Sequence, residues 1–199
     1  MAGNRTGNGG AHAVIGAIGD AGHGKTTLAA AIGKAAAKSY RQDARAVESI
    51  VEAAGRTVGE VAVHSAHSAY ATPERHYTHF DASAAHVEDL LRSTRLDGVI
   101  LVVSAPDSVQ PRTRRHLRLA RTAGLRHLVV FLNKCDAVGD PAVTDRTERQ
   151  VREMLRQQGL DGARVPVVRG SALRILGGDR SWEPSAVELL EALDSCVGG

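Results

Sequence analysis

Aromatic side chains are scarce, making up 3% of the 199 residues. A surface that stacks on single-stranded nucleic acid needs such rings, so the composition argues against one. It also leaves the core to Ala, Val, Leu and Ile. Cysteine occurs only at Cys135 and Cys196, which makes neither a disulfide framework nor a CxxC zinc pattern. No apolar run reaches the length of a membrane span. Residues 1–12 are rich in Gly and Asn and lack the apolar stretch of a secretory leader. They read as a disordered tail before one domain over 13–199, with a reducing, cytoplasmic location as the expectation. Lysine is the last shortage. It occurs only at Lys25, Lys34, Lys38 and Lys134, so the formal net charge of +3 is carried mostly by arginine.

Apolar residues make up 43% of the chain, enough for a single core at this length. Short apolar runs over 13–18, 99–103 and 127–132 predict strands buried on both faces, as in a parallel sheet. Val61–Tyr70, His76–Asp81 and Val165–Val168 are further strand candidates. Helical patterns fill Lys25–Lys38, Thr113–Ala123, Asp145–Gln158 and Pro184–Leu193, while residues 41–60 read as loop. The alternation predicts an α/β doubly wound fold with a mostly parallel sheet and helices on both faces.

Gly19-Asp20-Ala21-Gly22-His23-Gly24-Lys25-Thr26 satisfies G-x-x-x-x-G-K-[ST], between a predicted strand and a predicted helix. Glycines let the backbone curl until its N–H groups face a polyphosphate, and the helix N-terminus adds partial positive charge. Lys25 is expected to reach the β- and γ-phosphates and Thr26 to bind Mg²⁺. An arginine-preferring chain that keeps lysine here fits a need for a compact, flexible ammonium.

Asn133-Lys134-Cys135-Asp136 follows the strand ending at Leu132, and Ser171-Ala172-Leu173 follows the Val165–Val168 strand. These resemble the base-reading N-K-x-D and S-A-[KL] motifs of P-loop GTPases. The resemblance implies that Asp136 accepts from guanine N1–H and the exocyclic amine. It also implies that Asn133 holds the loop, that the Lys134 stem covers the base, and that a backbone N–H of 171–173 addresses guanine O6. Gly22-His23-Gly24-Lys25-Thr26-Thr27-Leu28, the 70–77 segment, VVFLNKCD over 129–136, VRGSAL over 168–173 and DGVILVV over 97–103 narrow it further. Over about residues 13–197 the chain is similar to the GTP-binding domain of translation elongation factor Tu. That similarity implies the P-loop G-domain fold and binding of GTP or GDP with Mg²⁺. The expected nucleotide-binding set is Asp20, Ala21, Gly22, His23, Gly24, Lys25, Thr26, Thr27, Asn133, Lys134, Asp136, Ser171, Ala172 and Leu173, with Thr26 and Asp81 at the metal.

The departures from the family cluster where it senses the γ-phosphate. Gly59-Glu60-Val61-Ala62 stands where switch I carries R-G-I-T, so the metal-binding Thr becomes Ala62. Asp81-Ala82-Ser83-Ala84-Ala85-His86 stands where switch II carries D-C-P-G-H. Ala84 then replaces the γ-phosphate-binding Gly, Ala85 replaces the catalytic His, and His86 is a displaced candidate one position late. Gly22 replaces an Asp. The expectation is weak or partner-dependent GTP hydrolysis, with a nucleotide-binding pseudo-GTPase as the alternative. The family's two β-barrel domains have no counterpart in this sequence, which puts aminoacyl-tRNA delivery in doubt. Arg112, Arg114, Arg115, Arg118 and Arg121 read as a solvated helix face. The family contacts its exchange factor nearby, so the resemblance implies a protein partner: exchange factor, activator or ribosomal component. His64, His67, His76 and His79 step by three along predicted strands, which alternates their faces and argues against a shared metal.

Overall fold

A computed structural model describes residues 11–40 and 65–197. The strands are β1 (Ala11–Gly19), β2 (Ser65–Ala71), β3 (Arg75–Ala82), β4 (Gly98–Ser104), β5 (Leu128–Asn133) and β6 (Val167–Arg169). The helices are α1 (Lys25–Ser39), α2 (Val87–Ser93), α3 (Pro111–Thr122), α4 (Pro141–Gln157), α5 (Ala172–Gly177) and α6 (Glu183–Val197). The six strands form one sheet in the order β2-β3-β1-β4-β5-β6. All neighbours are parallel except β2 and β3, which form an antiparallel hairpin at one edge. This is the mostly parallel doubly wound sheet the sequence predicted.

The central strands are apolar on both faces because helices cover both. Ile15, Ile100, Val102 and Phe131 point into a layer with Leu28 and Ile32 of α1 and Leu189 and Leu190 of α6. Ile18, Leu101, Val103, Val130 and Leu132 point the other way, against Leu90 of α2, Leu117 of α3 and Val151 and Met154 of α4. The period of two along each strand thus sorts its residues between two cores. Gly16 lets the second face pack closely on β1, since an added Cβ would lie 2.7 Å from Leu96 Cδ1 and that side chain would have to shift.

Several boundaries differ from the sequence expectation. β1 starts at Ala11, so Ala11 and His12 belong to the sheet and not to the expected tail. Residues 1–10, the 41–60 loop and the part of the second strand before Ser65 lie outside the described residues. α4 starts four residues before the apolar pattern, because the Asp140 side chain accepts the Ala142 N–H at 2.9 Å and Pro141 suits the first turn. α3 likewise starts at Pro111. β6 is shorter than expected: Arg164 N and Val165 N are taken by the Asp161 carbonyl, and Pro166 has no N–H to donate. The short helices α2 and α5 escaped the periodicity reading, since neither spans enough turns to show one. No helix among the described residues is long and apolar enough to cross a membrane.

The parallel register places the C-terminal ends of β1, β3, β4 and β5 along one edge of the sheet. The loops that follow them gather there, at the point where the strand order reverses on either side of β1.

Candidate functional site

The loop after β1 is shaped by two glycines no other residue would replace. Gly19 has φ +147°, and an added Cβ would fall 2.3 Å from the Val102 carbonyl oxygen. Gly24 has φ +89°, and its Cβ would fall 2.4 Å from Asn133 Nδ2. Both positions combine left-handed backbone with direct contact, so the cost of a side chain is steric as well as conformational. Lys25, the first residue of α1, is buried at 7% exposure. Its Nζ donates to the Asp20 carbonyl at 2.9 Å and to the Gly19 carbonyl at 3.4 Å. Burial lowers the basicity of this amine, Asp81 and Asp20 oppose that shift, and Arg112 adds to it. A cation held among oxygens in this way exchanges readily onto an anion, whose charge satisfies it better than two neutral carbonyls.

Thr26 lies one residue on, and its hydroxyl donates to Asp81 Oδ2 at the end of β3. The other carboxylate oxygen, Oδ1, is buried with no hydrogen-bond partner. A hydroxyl beside a carboxylate with an unused oxygen is a hard-oxygen donor set that suits Mg²⁺, which takes one or two protein ligands and keeps waters for the rest. The pair predicted for the metal is therefore brought together.

The segments expected to read the base are joined to the expected phosphate loop by a single side chain. Asn133, at 3% exposure, donates from Nδ2 to the His23 carbonyl at 2.8 Å. Its Oδ1 accepts from Lys134 N at 2.8 Å and from Ala172 N at 2.9 Å. The loops 20–24, 133–136 and 171–173 thus meet on one amide. Lys134 adopts φ +60°, unusual for a residue with a side chain and held by the Asn133 bond. Ser171 caps α5 through its hydroxyl, which accepts Arg174 N at 3.3 Å. Leu173 projects into solvent at 68% exposure, the one large hydrophobic side chain so exposed among the described residues. His23 is buried and donates toward the Val102 carbonyl at 3.4 Å, so it anchors the loop from below. Burial holds its imidazole less basic than usual. Asp20, Ala21, Gly22, Gly24, Thr26 and Thr27 remain at least partly accessible.

The switch residues fare differently. Gly59 to Ala62 lie outside the described residues. Ala84 and Ala85 line a cavity of 690 Å³ beside Asp20, Arg112 and His116. His86, the displaced candidate, precedes α2 and is half-buried, with its Nδ1 2.8 Å from Ser83 Oγ. This contact ties it to the loop that follows β3.

Four contacts were not foreseen from sequence. Arg174 Nε lies 3.2 Å from Asp136 Oδ2 and holds the carboxylate assigned to guanine. Lys134 Nζ lies 3.4 Å from Asp107 Oδ2. Arg112 Nη1 lies 3.4 Å from Asp20 Oδ1. His116, 4% exposed, donates from Nδ1 to the Gly19 carbonyl at 3.1 Å. The last two come from α3. The reading of its arginines as a solvated face overlooked that the N-terminal turn meets the phosphate loop. The family model described as the elongation factor Tu GTP binding domain matches residues 10–198.

Proposed function

The chain belongs to the elongation factor Tu GTP-binding domain family, a family of guanine-nucleotide-binding G domains, and from that premise we propose a GTP/GDP-binding protein that works with Mg²⁺ and hydrolyses GTP slowly or with a partner's help. The observation that carries the nucleotide assignment is the Asn133 amide, which fixes the phosphate loop and both base-reading segments relative to one another. A rigid distance between phosphate cradle and base pocket is what recognition of a whole nucleotide requires.

In this reading Lys25 leaves the Asp20 and Gly19 carbonyls for the β- and γ-phosphates, and the curled backbone after Gly19 supplies N–H groups to the same oxygens. Thr26 and Asp81 hold Mg²⁺, which when bound neutralises phosphate charge. Asp136 leaves Arg174 to accept two N–H donors from guanine. The Lys134 stem and exposed Leu173 cover the base, and a backbone N–H of 171–173 reaches O6. Adenine offers no matching donor pair, so Asp136, once covered by the base, would be left unsatisfied against it. A titration of fluorescent GDP with competing GTP, GDP and ATP tests this. Guanine preference that survives Asp136→Asn refutes it.

The retained phosphate and metal residues favour turnover, while Ala84 and Ala85 beside Asp20 favour the second reading, a pseudo-GTPase interaction module. Single-turnover hydrolysis by the purified chain separates the two. Turnover that vanishes in His86→Ala would give His86 the catalytic role. Binding to an exchange factor, activator or ribosomal component, tested by pull-down, would identify the partner.

A further inference from the structure

Two cations converge on Asp20. Lys25 Nζ donates to its carbonyl oxygen at 2.9 Å, and Arg112 Nη1 lies 3.4 Å from its carboxylate Oδ1. That same Oδ1 accepts the Ala21 N–H at 2.7 Å, so the carboxylate lies back on the phosphate loop. Arg112 stands in the first turn of α3, and one turn later the His116 bond to the Gly19 carbonyl pins that end of the helix against the loop. The guanidinium is near enough to Lys25 to disfavour its charge, as burial does more strongly, while Asp81 and Asp20 favour it. It also lines the cavity that Ala84 and Ala85 border. The neighbouring arginines are engaged elsewhere: Arg115 with Glu88 and Arg114 with Gln157.

We propose that Arg112, which the structure holds on Asp20, is this chain's own arginine for the γ-phosphate and moves to a γ-phosphate oxygen when GTP is hydrolysed. The inference rests on the GTP reading above and adds a residue to it. The parked contact is long, and the arginine side chain is 55% exposed, so little opposes its release. A γ-phosphate beside Lys25 would repel the Asp20 carboxylate and attract the guanidinium. The planar fork of arginine matches two oxygens of a phosphoryl group, which an ammonium does not.

In the reaction a water oxygen bonds to the γ-phosphorus as the bond from that phosphorus to the β–γ bridging oxygen breaks. The bonding pair stays on the bridging oxygen, which becomes a terminal β-phosphate oxygen of GDP. The proton lost by the water leaves on inorganic phosphate. Arg112 keeps its own proton and only neutralises charge on the equatorial oxygens. It would supply part of the stabilisation that Ala84 and Ala85 cannot.

The test uses the whole chain with fluorescent GDP, Mg²⁺ and aluminium fluoride, which mimics the phosphoryl group in transfer, and compares it with Arg112→Ala and Arg112→Lys. The chain as it stands should retain GDP more tightly once aluminium fluoride is added. Both variants should lose that response while binding GDP alone within about twofold of the parent, and single-turnover hydrolysis should fall by at least about tenfold. An unchanged aluminium fluoride response and rate in Arg112→Ala overturns the proposal, as does a parent chain that binds GDP and shows no response. Failure of the parent to bind GDP at all would instead refute the guanine-nucleotide reading, so the two failures are distinct.

Discussion

Replacing Asn133 with Ala removes three hydrogen bonds at once and leaves a void between three loops. The His23 carbonyl loses its donor, and the Ala172 and Lys134 N–H groups lose their acceptor. Each bond is worth about 1 kcal/mol net, and a buried group left unpaired costs about 1–3 kcal/mol. The site is nearly closed to solvent, so water replaces these partners poorly. A loss of about 3 kcal/mol follows for the nucleotide-free protein, or roughly a hundredfold in the unfolding equilibrium. Lys134 also loses the bond that holds its left-handed backbone, so the base-reading turn should relax. Fluorescent-GDP affinity should fall by at least about tenfold, beyond what reduced stability explains. Asn133→Asp is the informative control. It keeps an acceptor for Lys134 N and Ala172 N but turns a carboxylate oxygen toward the His23 carbonyl, where a donor is needed. It should bind nucleotide no better than the Ala variant at neutral pH. Urea denaturation followed by circular dichroism, with parallel GDP titrations, measures both quantities. A loss below about 1 kcal/mol in Asn133→Ala, with unchanged affinity, would refute the idea that one amide holds the three loops together.

Other perturbations follow from single contacts. Gly24→Ala should abolish nucleotide binding and lower the thermal midpoint, because its Cβ would strike Asn133 Nδ2 at a residue with φ +89°; a variant that binds GDP normally would contradict this. Leu173→Ser should leave stability within about 0.5 kcal/mol, as expected for an exposed side chain, while weakening GDP several-fold if the leucine covers the base; calorimetric titration decides it. Burial pulls the His79 imidazole down to about 4 from the usual 6.5. The unfolded chain therefore binds a proton that the folded chain refuses, so the stability is complete above about pH 6.5 and declines as pH falls toward 4. The full effect is about 3 kcal/mol. Urea midpoints measured between pH 4 and 7 should flatten in His79→Phe, and a parent that shows no decline would refute the assignment.

Sequence alone settled what depends on near neighbours along the chain. The glycines, lysine and hydroxyl of residues 19–26 sit in consecutive positions, so their chemistry and the strand-loop-helix around them could be read from order and spacing. The apolar runs of β1, β4 and β5 identified buried parallel strands for the same reason: a strand covered on both faces cannot carry polar alternation. Short elements such as α2 and α5 left no period to detect. Asp140-Pro141, by contrast, was a legible start signal for α4 that the apolar pattern alone overlooked. What only the tertiary structure decided is which distant residues meet at the ends of those strands. Asn133 reaches His23, Arg112 reaches Asp20, His116 reaches Gly19 and Arg174 reaches Asp136. These pairings are set by the β2-β3-β1-β4-β5-β6 order and by the angle at which each helix returns to the sheet. Hydrophobic periodicity says which face of an element is buried, but not which neighbour covers it. The motifs therefore marked the candidate nucleotide site, and the packing of α3 against the phosphate loop set a second cation beside it.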